Sequence, residues 1–210
     1  SYMEYPKRFR NSHKGDYGKV LIIAGSPSFS GAAILCSKAC VKAGAGLVKL
    51  LHPQGMENIF ESSLTEVMTK GITAVSNIED YLEWSDVVLI GPGLGQSPEA
   101  VKILTKLLKE YKKKIVIDAD GINIVAKNRY LLFETKAQIV LTPHLGEFSR
   151  LINKPLSDIK IDSIKYAQEF IQRYPVSLLV KSSNTLYVDK SSSCFNLTGN
   201  DGLSTGGSGD

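Results

Sequence analysis

Asp86-Val87-Val88-Leu89-Ile90 runs directly into Gly91-Pro92-Gly93-Leu94-Gly95 and then, past Gln96, into Ser97-Pro98-Glu99. A short, continuously apolar run is what a strand buried on both faces requires. The glycines and proline behind it end the strand in a tight turn. Ser97 suits an N-cap and Pro98 the first helical position. Val101, Ile103, Leu104, Leu107 and Leu108 then recur near the helical period. Strand, glycine turn and capped helix in succession form the repeating unit of a parallel sheet covered by helices.

The same alternation extends in both directions. Val20–Ala24 is an apolar strand ended by Gly25-Ser26-Pro27, and a small-residue helix follows over 31–44. Strands are predicted at 47–51, 66–70, 86–90, 114–118, 138–141, 176–180 and 185–189, the last after a turn at Ser182-Ser183-Asn184. Helices are predicted at 121–127, from about Gly146, and over 161–174. With no repeat and no low-complexity linker, residues 1–210 read as a single α/β domain with a mainly parallel central sheet, preceded by a lead-in over 1–18. Ligands of such sheets bind at the carboxyl ends of the strands. Those ends carry Gly25-Ser26, Gly91 to Gly95, Asp118-Ala119-Asp120, Thr142-Pro143-His144 and Lys181.

Composition narrows the function. Charged residues make up 22% of the 210 and the net charge is +4, too weak a bias for nucleic-acid binding but favourable to an anionic ligand. The polar stretch 2–10 is no signal peptide, and no apolar run is long enough to cross a membrane. The three cysteines form no CxxC pair, so they are expected to be reduced, buried thiols of a cytoplasmic protein.

Each segment that carries polar chemistry has a plain structural reading beside the functional one. Gly206-Gly207-Ser208-Gly209-Asp210 can form an anion nest of backbone N–H groups, with Asp210 as a base for an attacking hydroxyl, or can be a flexible tail. Gly91 to Gly95 can bring backbone close to a ligand or simply turn the chain; Gln96 excludes the dinucleotide fingerprint. Gly25 to Gly31 lacks the Gly-Lys-Ser/Thr of a P-loop. Asp118 at its strand end can face a phosphate or metal, whereas Asp120 reads as the cap of the helix that follows. His144 can touch substrate and Glu147 can hold Mg²⁺ through water, or the two can be a loop histidine and a first-turn carboxylate. Lys181 is either a solvated charge or a point charge for a nucleotide phosphate. His13 and His52 read as structural.

Taken in order, these segments resemble one family. They are Ser12–Gly18, Gly25-Ser26 with Ser30–Ala33, Ala43–Val48, Gly91–Gly95, Asp118–Asp120, Leu141–Leu151 and Gly206–Asp210. The set is similar to the ADP/ATP-dependent NAD(P)H-hydrate dehydratases, which have a ribokinase-like three-layer fold. The resemblance implies a lyase for metabolite repair. It would return the S epimer of hydrated NADH or NADPH to NAD(P)H, consuming ADP, or ATP in its place, with Mg²⁺. By the same resemblance Asp210 is the catalytic base, and Ala32, Gly95, His144 and Asp210 contact the hydrated dinucleotide. Lys181, Ser182, Ser183, Asn184 and Thr185 contact the adenine nucleotide, with Gly207, Ser208 and Gly209 around the transferring group. Glu147 is the Mg²⁺-linked candidate.

The family has Gly where Ser182 stands, which would matter if that position needed a positive φ. It also continues past the Gly-x-Gly-Asp motif, so the domain is expected to be C-terminally truncated, with a terminal carboxylate opposing phosphate at the nest. A homotetramer and a fused or separate epimerase module are further expectations of the resemblance. The other readings are a vitamin-precursor kinase of the same fold and an inactive nucleotide-binding fragment.

Overall fold

The computed structural model describes residues 17–195. In chain order the elements are β1 (Lys19–Ile23), α1 (Ser30–Lys42), β2 (Leu47–Pro53), α2 (Glu57–Ser63), β3 (Met68–Ile72), α3 (Glu79–Trp84), β4 (Val87–Ile90), α4 (Pro98–Glu110), β5 (Lys114–Ile117) and α5 (Asp120–Lys127). A 3-10 turn (Arg129–Phe133), β6 (Gln138–Leu141), α6 (Leu145–Ile152), α7 (Leu156–Ile161), α8 (Ser163–Arg173), β7 (Val176–Val180), β8 (Leu186–Val188) and β9 (Ser193–Phe195) follow. All described strands belong to one sheet, in the order β3-β2-β1-β4-β5-β6-β7-β8-β9. β1 to β7 pair in parallel; β8 and β9 are antiparallel additions at one edge.

Alternation along β1 shows how the sheet is sandwiched. Leu21 and Ile23 face one apolar cluster, and Ile22 and Ala24 face the other, all nearly inaccessible to solvent. The smaller cluster is closed by Ala33 and Cys36 of α1 and Phe60 of α2. The larger runs under α4 (Leu104, Leu107, Leu108), α5 (Ile122, Val125), α6 (Phe148, Leu151) and α8 (Ala167, Phe170, Ile171). Burial of this apolar surface is the main stabilising force, at about 25 cal/mol per Å² removed from water.

The sequence reading places most elements within two residues. Ser97 caps α4 as expected, its hydroxyl accepting from the Ala100 N–H, with Pro98 in the first turn. The helix expected over 161–174 is α8, which begins two residues later because Asp162, after the separate short α7, leaves helical geometry and its carboxylate caps α8 by accepting from the Lys165 N–H at 3.1 Å. β3 lies two residues later than expected, in register with Lys49–Pro53 of β2. The short α2, α3 and β9 have too few residues to show a period. All three cysteines are free thiols, and Cys36 is buried as expected, but Cys40 is half-buried and Cys194 exposed. Burial pushes the Cys40 thiol pKa up. Among the described residues no helix is long and apolar enough to cross a membrane.

Two backbone constraints shape the carboxyl edge of the sheet. Gly91 takes φ +128°, and a Cβ there would overlap the Asp118 carbonyl oxygen, so β4 and β5 end in direct backbone contact. Ala119 takes φ 47° and ψ −119°, while the Gly121 N–H donates to the Asp118 carbonyl at 3.0 Å. That is the first central position of a type II′ turn, where glycine is the comfortable residue. Holding alanine there costs about 1–3 kcal/mol.

Gly91→Ala is therefore expected to lose more than about 3 kcal/mol in urea unfolding. Gly31→Ala, in α1 with open space around it, should be neutral or stabilising by up to about 1 kcal/mol. A further pair tests the turn by the same measurement. Ala119→Gly should match or exceed the parent's stability, and Ala119→Val should lose more than about 2 kcal/mol. Equal stability of the glycine and valine variants would contradict the II′ geometry.

Candidate functional site at the carboxyl edge of the sheet

Strand order reverses between β1 and β4, since β2 and β3 build away from β1 on the other side. Loops leaving two such strands diverge and open a crevice between them. Here the crevice is bounded by Gly25–Phe29 after β1 and Gly91–Ser97 after β4, tied together by the Gly25 N–H donating to the Pro92 carbonyl at 2.9 Å. A cavity of about 280 Å³ opens beside it, lined by Ser26, Pro27, His52, Leu94, Ser97 and Ile103 among others. Ala32 lies in the first turn of α1, a helix without a side-chain N-cap. Gly95 closes the opposite loop at φ +73°; a Cβ there would reach Ser26 only at ordinary contact distance. Conformation, not space, makes that position a glycine.

Asp120 does not cap α5. The helix begins with no side-chain cap, and Asp120 turns back to β4 instead. Its Oδ2 accepts from the Gly95 N–H at 2.9 Å and its Oδ1 from Gln96 Nε2 at 3.5 Å. Capping loses because the II′ turn starts the helix at Asp120 itself and aims its carboxylate outward.

Asp118, one residue before the strained alanine, points the other way. It is 7% exposed, and its Oδ1 accepts from Lys181 Nζ and from the Thr142 hydroxyl, both at 2.8 Å. Lys181 is thus paired, not solvated. Its N–H also donates to the Pro143 carbonyl at 2.7 Å, and it bridges His144 in parallel beyond the ends of β6 and β7. Removing the ammonium would leave a buried carboxylate uncompensated.

His144 is the N-cap of α6. Its Nδ1 accepts from the Gly146 and Glu147 N–H groups at 3.0 and 3.3 Å, so in this arrangement a neutral ring carries its proton on Nε2. Glu147 completes the capping box: Oε2 accepts from the His144 N–H at 2.9 Å, and Oε1 lies 3.3 Å from His144 Nε2. The histidine side chain stays half exposed while the glutamate is buried. Both carboxylate oxygens of Glu147 are engaged, and among the described residues no three His, Cys, Asp or Glu side chains form a metal-holding group. The described residues therefore form no dedicated Mg²⁺ cage.

Ser182–Thr185 form the turn between β7 and β8, with Ser182, Ser183 and Asn184 exposed. Ser182 Oγ donates to the Asn184 carbonyl at 2.9 Å and Thr185 Oγ1 to the Ser182 carbonyl at 3.2 Å. Among the described residues only Ala119 and Asn153 are non-glycines with positive φ, so Ser182 replaces glycine without backbone strain. His52 is buried in β2 against Phe60, as a structural histidine would be. His13 and Gly206, Gly207, Ser208, Gly209 and Asp210 lie outside the described residues. Sequence reasoning placed Thr142 at the strand ends but gave it no role, and missed its bond to Asp118 and the bond from Asp120 to Gly95.

Comparison with known proteins bears on this edge. Residues 20–210 match the family described as NAD(P)H-hydrate dehydratase. The chain is 35% identical to a bifunctional NAD(P)H-hydrate repair enzyme of Thermofilum pendens, over 98% of its own length and 41% of the relative's. It is 33% identical to the ADP-dependent (S)-NAD(P)H-hydrate dehydratase of Listeria monocytogenes, covering 98% of this chain and 72% of that one. It also superposes with a TM-score of 0.85, at 27% identity, on the ADP/ATP-dependent NAD(P)H-hydrate dehydratase of Bacillus subtilis co-crystallized with ATP and Mg²⁺. That alignment covers 96% of this chain and 72% of the solved one. The chain spans about two fifths of the bifunctional relatives it matches. With a ribokinase-like α/β sheet, the glycine turn at its switch point and a match running from β1 to Asp210, this chain belongs to the NAD(P)H-hydrate dehydratase family.

Proposed function

We propose that this chain carries the dehydration step of NAD(P)H-hydrate repair, with ADP, or ATP in its place, as the phosphoryl donor. The observation that carries the reading is the linkage at the carboxyl edge. Gly95 and His144, the expected dinucleotide contacts, and Lys181, the expected nucleotide contact, are joined through the turn Asp118–Asp120 and the β6–β7 bridge. Two ligands held on either side of that turn would meet where their reacting groups must approach within about 3–3.5 Å.

The chemistry needs few groups. Asp210 accepts the proton of the hydrate's ring hydroxyl. The hydroxyl oxygen bonds to the terminal phosphorus of ADP, and the phosphorus–oxygen bond to AMP breaks. The ring carbon–oxygen bond of the new ester then breaks, phosphate leaves with both electrons, and the adjacent carbon gives up a proton to restore the double bond. Gly207, Ser208 and Gly209 supply N–H donors to the transferring group. Lys181 and the turn Ser182–Thr185 bind the nucleotide, while Ala32, Gly95 and His144 bind the dinucleotide. Mg²⁺ would neutralise the charge of the nucleotide's phosphates, and Glu147 would contact it through water.

The test is repair of hydrated NADH with Mg²⁺ and either ADP or ATP, on the protein with everything its reading frame encodes around these residues. Return of the NADH absorbance band, with one AMP formed per turnover from ADP, is expected. Asp210→Asn should lower kcat by about 10²–10⁴-fold. A stable phosphorylated product without dehydration would make the protein a kinase instead. No turnover with either nucleotide would overturn the reading.

A further inference from the structure

The carboxylate of Asp120 lies beside the β4–α4 turn that bounds the crevice, and its bonds run to that turn. Oδ2 accepts from the Gly95 N–H at 2.9 Å. Oδ1 faces Gln96 Nε2 at 3.5 Å, and Gln96 Oε1 in turn accepts from Lys127 Nζ at 2.8 Å. The β4–α4 turn has anchors at its start, where the Leu94 N–H donates to the Gly91 carbonyl, and at its end, where Ser97 caps α4. Between them, the Gly95 N–H is held by its hydrogen bond to Asp120. A hydrogen bond to a charged acceptor in a partly buried place is among the stronger single anchors available.

We infer that Asp120 is a positioning residue for the hydrated dinucleotide, acting through Gly95. The inference rests on the reading above that sets Gly95 against that substrate. The clamp has a chemical consequence. With its N–H committed to Asp120, Gly95 offers a ligand its Cα and its carbonyl acceptor. The glycine turn then recognises a hydrogen-bond donor or a close-packed ring, not a phosphate. Holding φ at +73° in advance also removes an ordering cost from substrate binding.

The test uses Asp120→Ala and Asp120→Asn in the protein with its full reading frame. The readouts are separate KM values for hydrate and nucleotide, and amide hydrogen exchange over residues 91–96. Asp120→Ala should raise the hydrate KM about tenfold and speed exchange at Gly95, with the nucleotide KM held within about twofold. Asp120→Asn keeps an oxygen acceptor for the Gly95 N–H and should recover most of the loss. If Asp120→Ala leaves the hydrate KM unchanged, or raises both KM values in parallel as general loosening would, the inference is wrong while the dehydratase reading stands. If the unsubstituted protein does not turn over, both fall together.

Discussion

The carboxyl ends of β4 and β5 touch through their backbones. Gly91 has no room for a side chain beside the Asp118 carbonyl, and a Cβ on Gly121 would come within 2.7 Å of Ile117 and 3.0 Å of the Ile90 carbonyl. With no slack there, the chain leaves β5 through a II′ turn that places Ala119 in a region alanine normally avoids. The rest of the edge depends on this crowding. The turn sends successive carboxylates to opposite sides, Asp118 to Lys181 and Thr142, Asp120 to Gly95 and Gln96. A relaxed helix start at the same place would let Asp120 cap its own helix and leave the glycine turn unanchored.

This arrangement connects the two halves of the proposed reaction. In that proposal the β1–β4 crevice, where strand order reverses, would take the dinucleotide, and the region beyond β6 and β7 the nucleotide. The turn Asp118–Asp120, directly after β5, stands between them. The capping box at His144 and Glu147 fixes the start of α6, and the bridge from His144 to Lys181 fixes that helix start against β7. Such a frame can present rigid contacts to two ligands without large side-chain ordering at the moment of binding.

The parallel sheet was legible because most of its strands are short apolar runs, several of them ended by glycine or proline, and its longer helices carry a period. The Ser97–Pro98 start of α4 was readable from local chemistry alone. What sequence could not show was direction. Asp120 looks like a cap, and only the Ala119 dihedral, set by contact between distant strand ends, turns it toward Gly95. Lys181 looks solvated or phosphate-bound, and its pairing with Asp118 spans 63 residues that no local pattern connects. The concern over Ser182 dissolves because its backbone adopts an ordinary φ, which residue type alone does not reveal.

In the proposed reaction a kinase-like edge dehydrates its substrate by first making the hydroxyl a phosphate ester. The fate of the hydroxyl oxygen tests it most directly. Hydrated NADH prepared in ¹⁸O-water carries the label in that hydroxyl, and the phosphate released during repair can be read by the isotope shift in its ³¹P resonance. One ¹⁸O is expected in each inorganic phosphate formed. Unlabelled phosphate, with the ¹⁸O recovered in water, would mean that the hydroxyl leaves without ever bonding to phosphorus, and would contradict the proposed reaction.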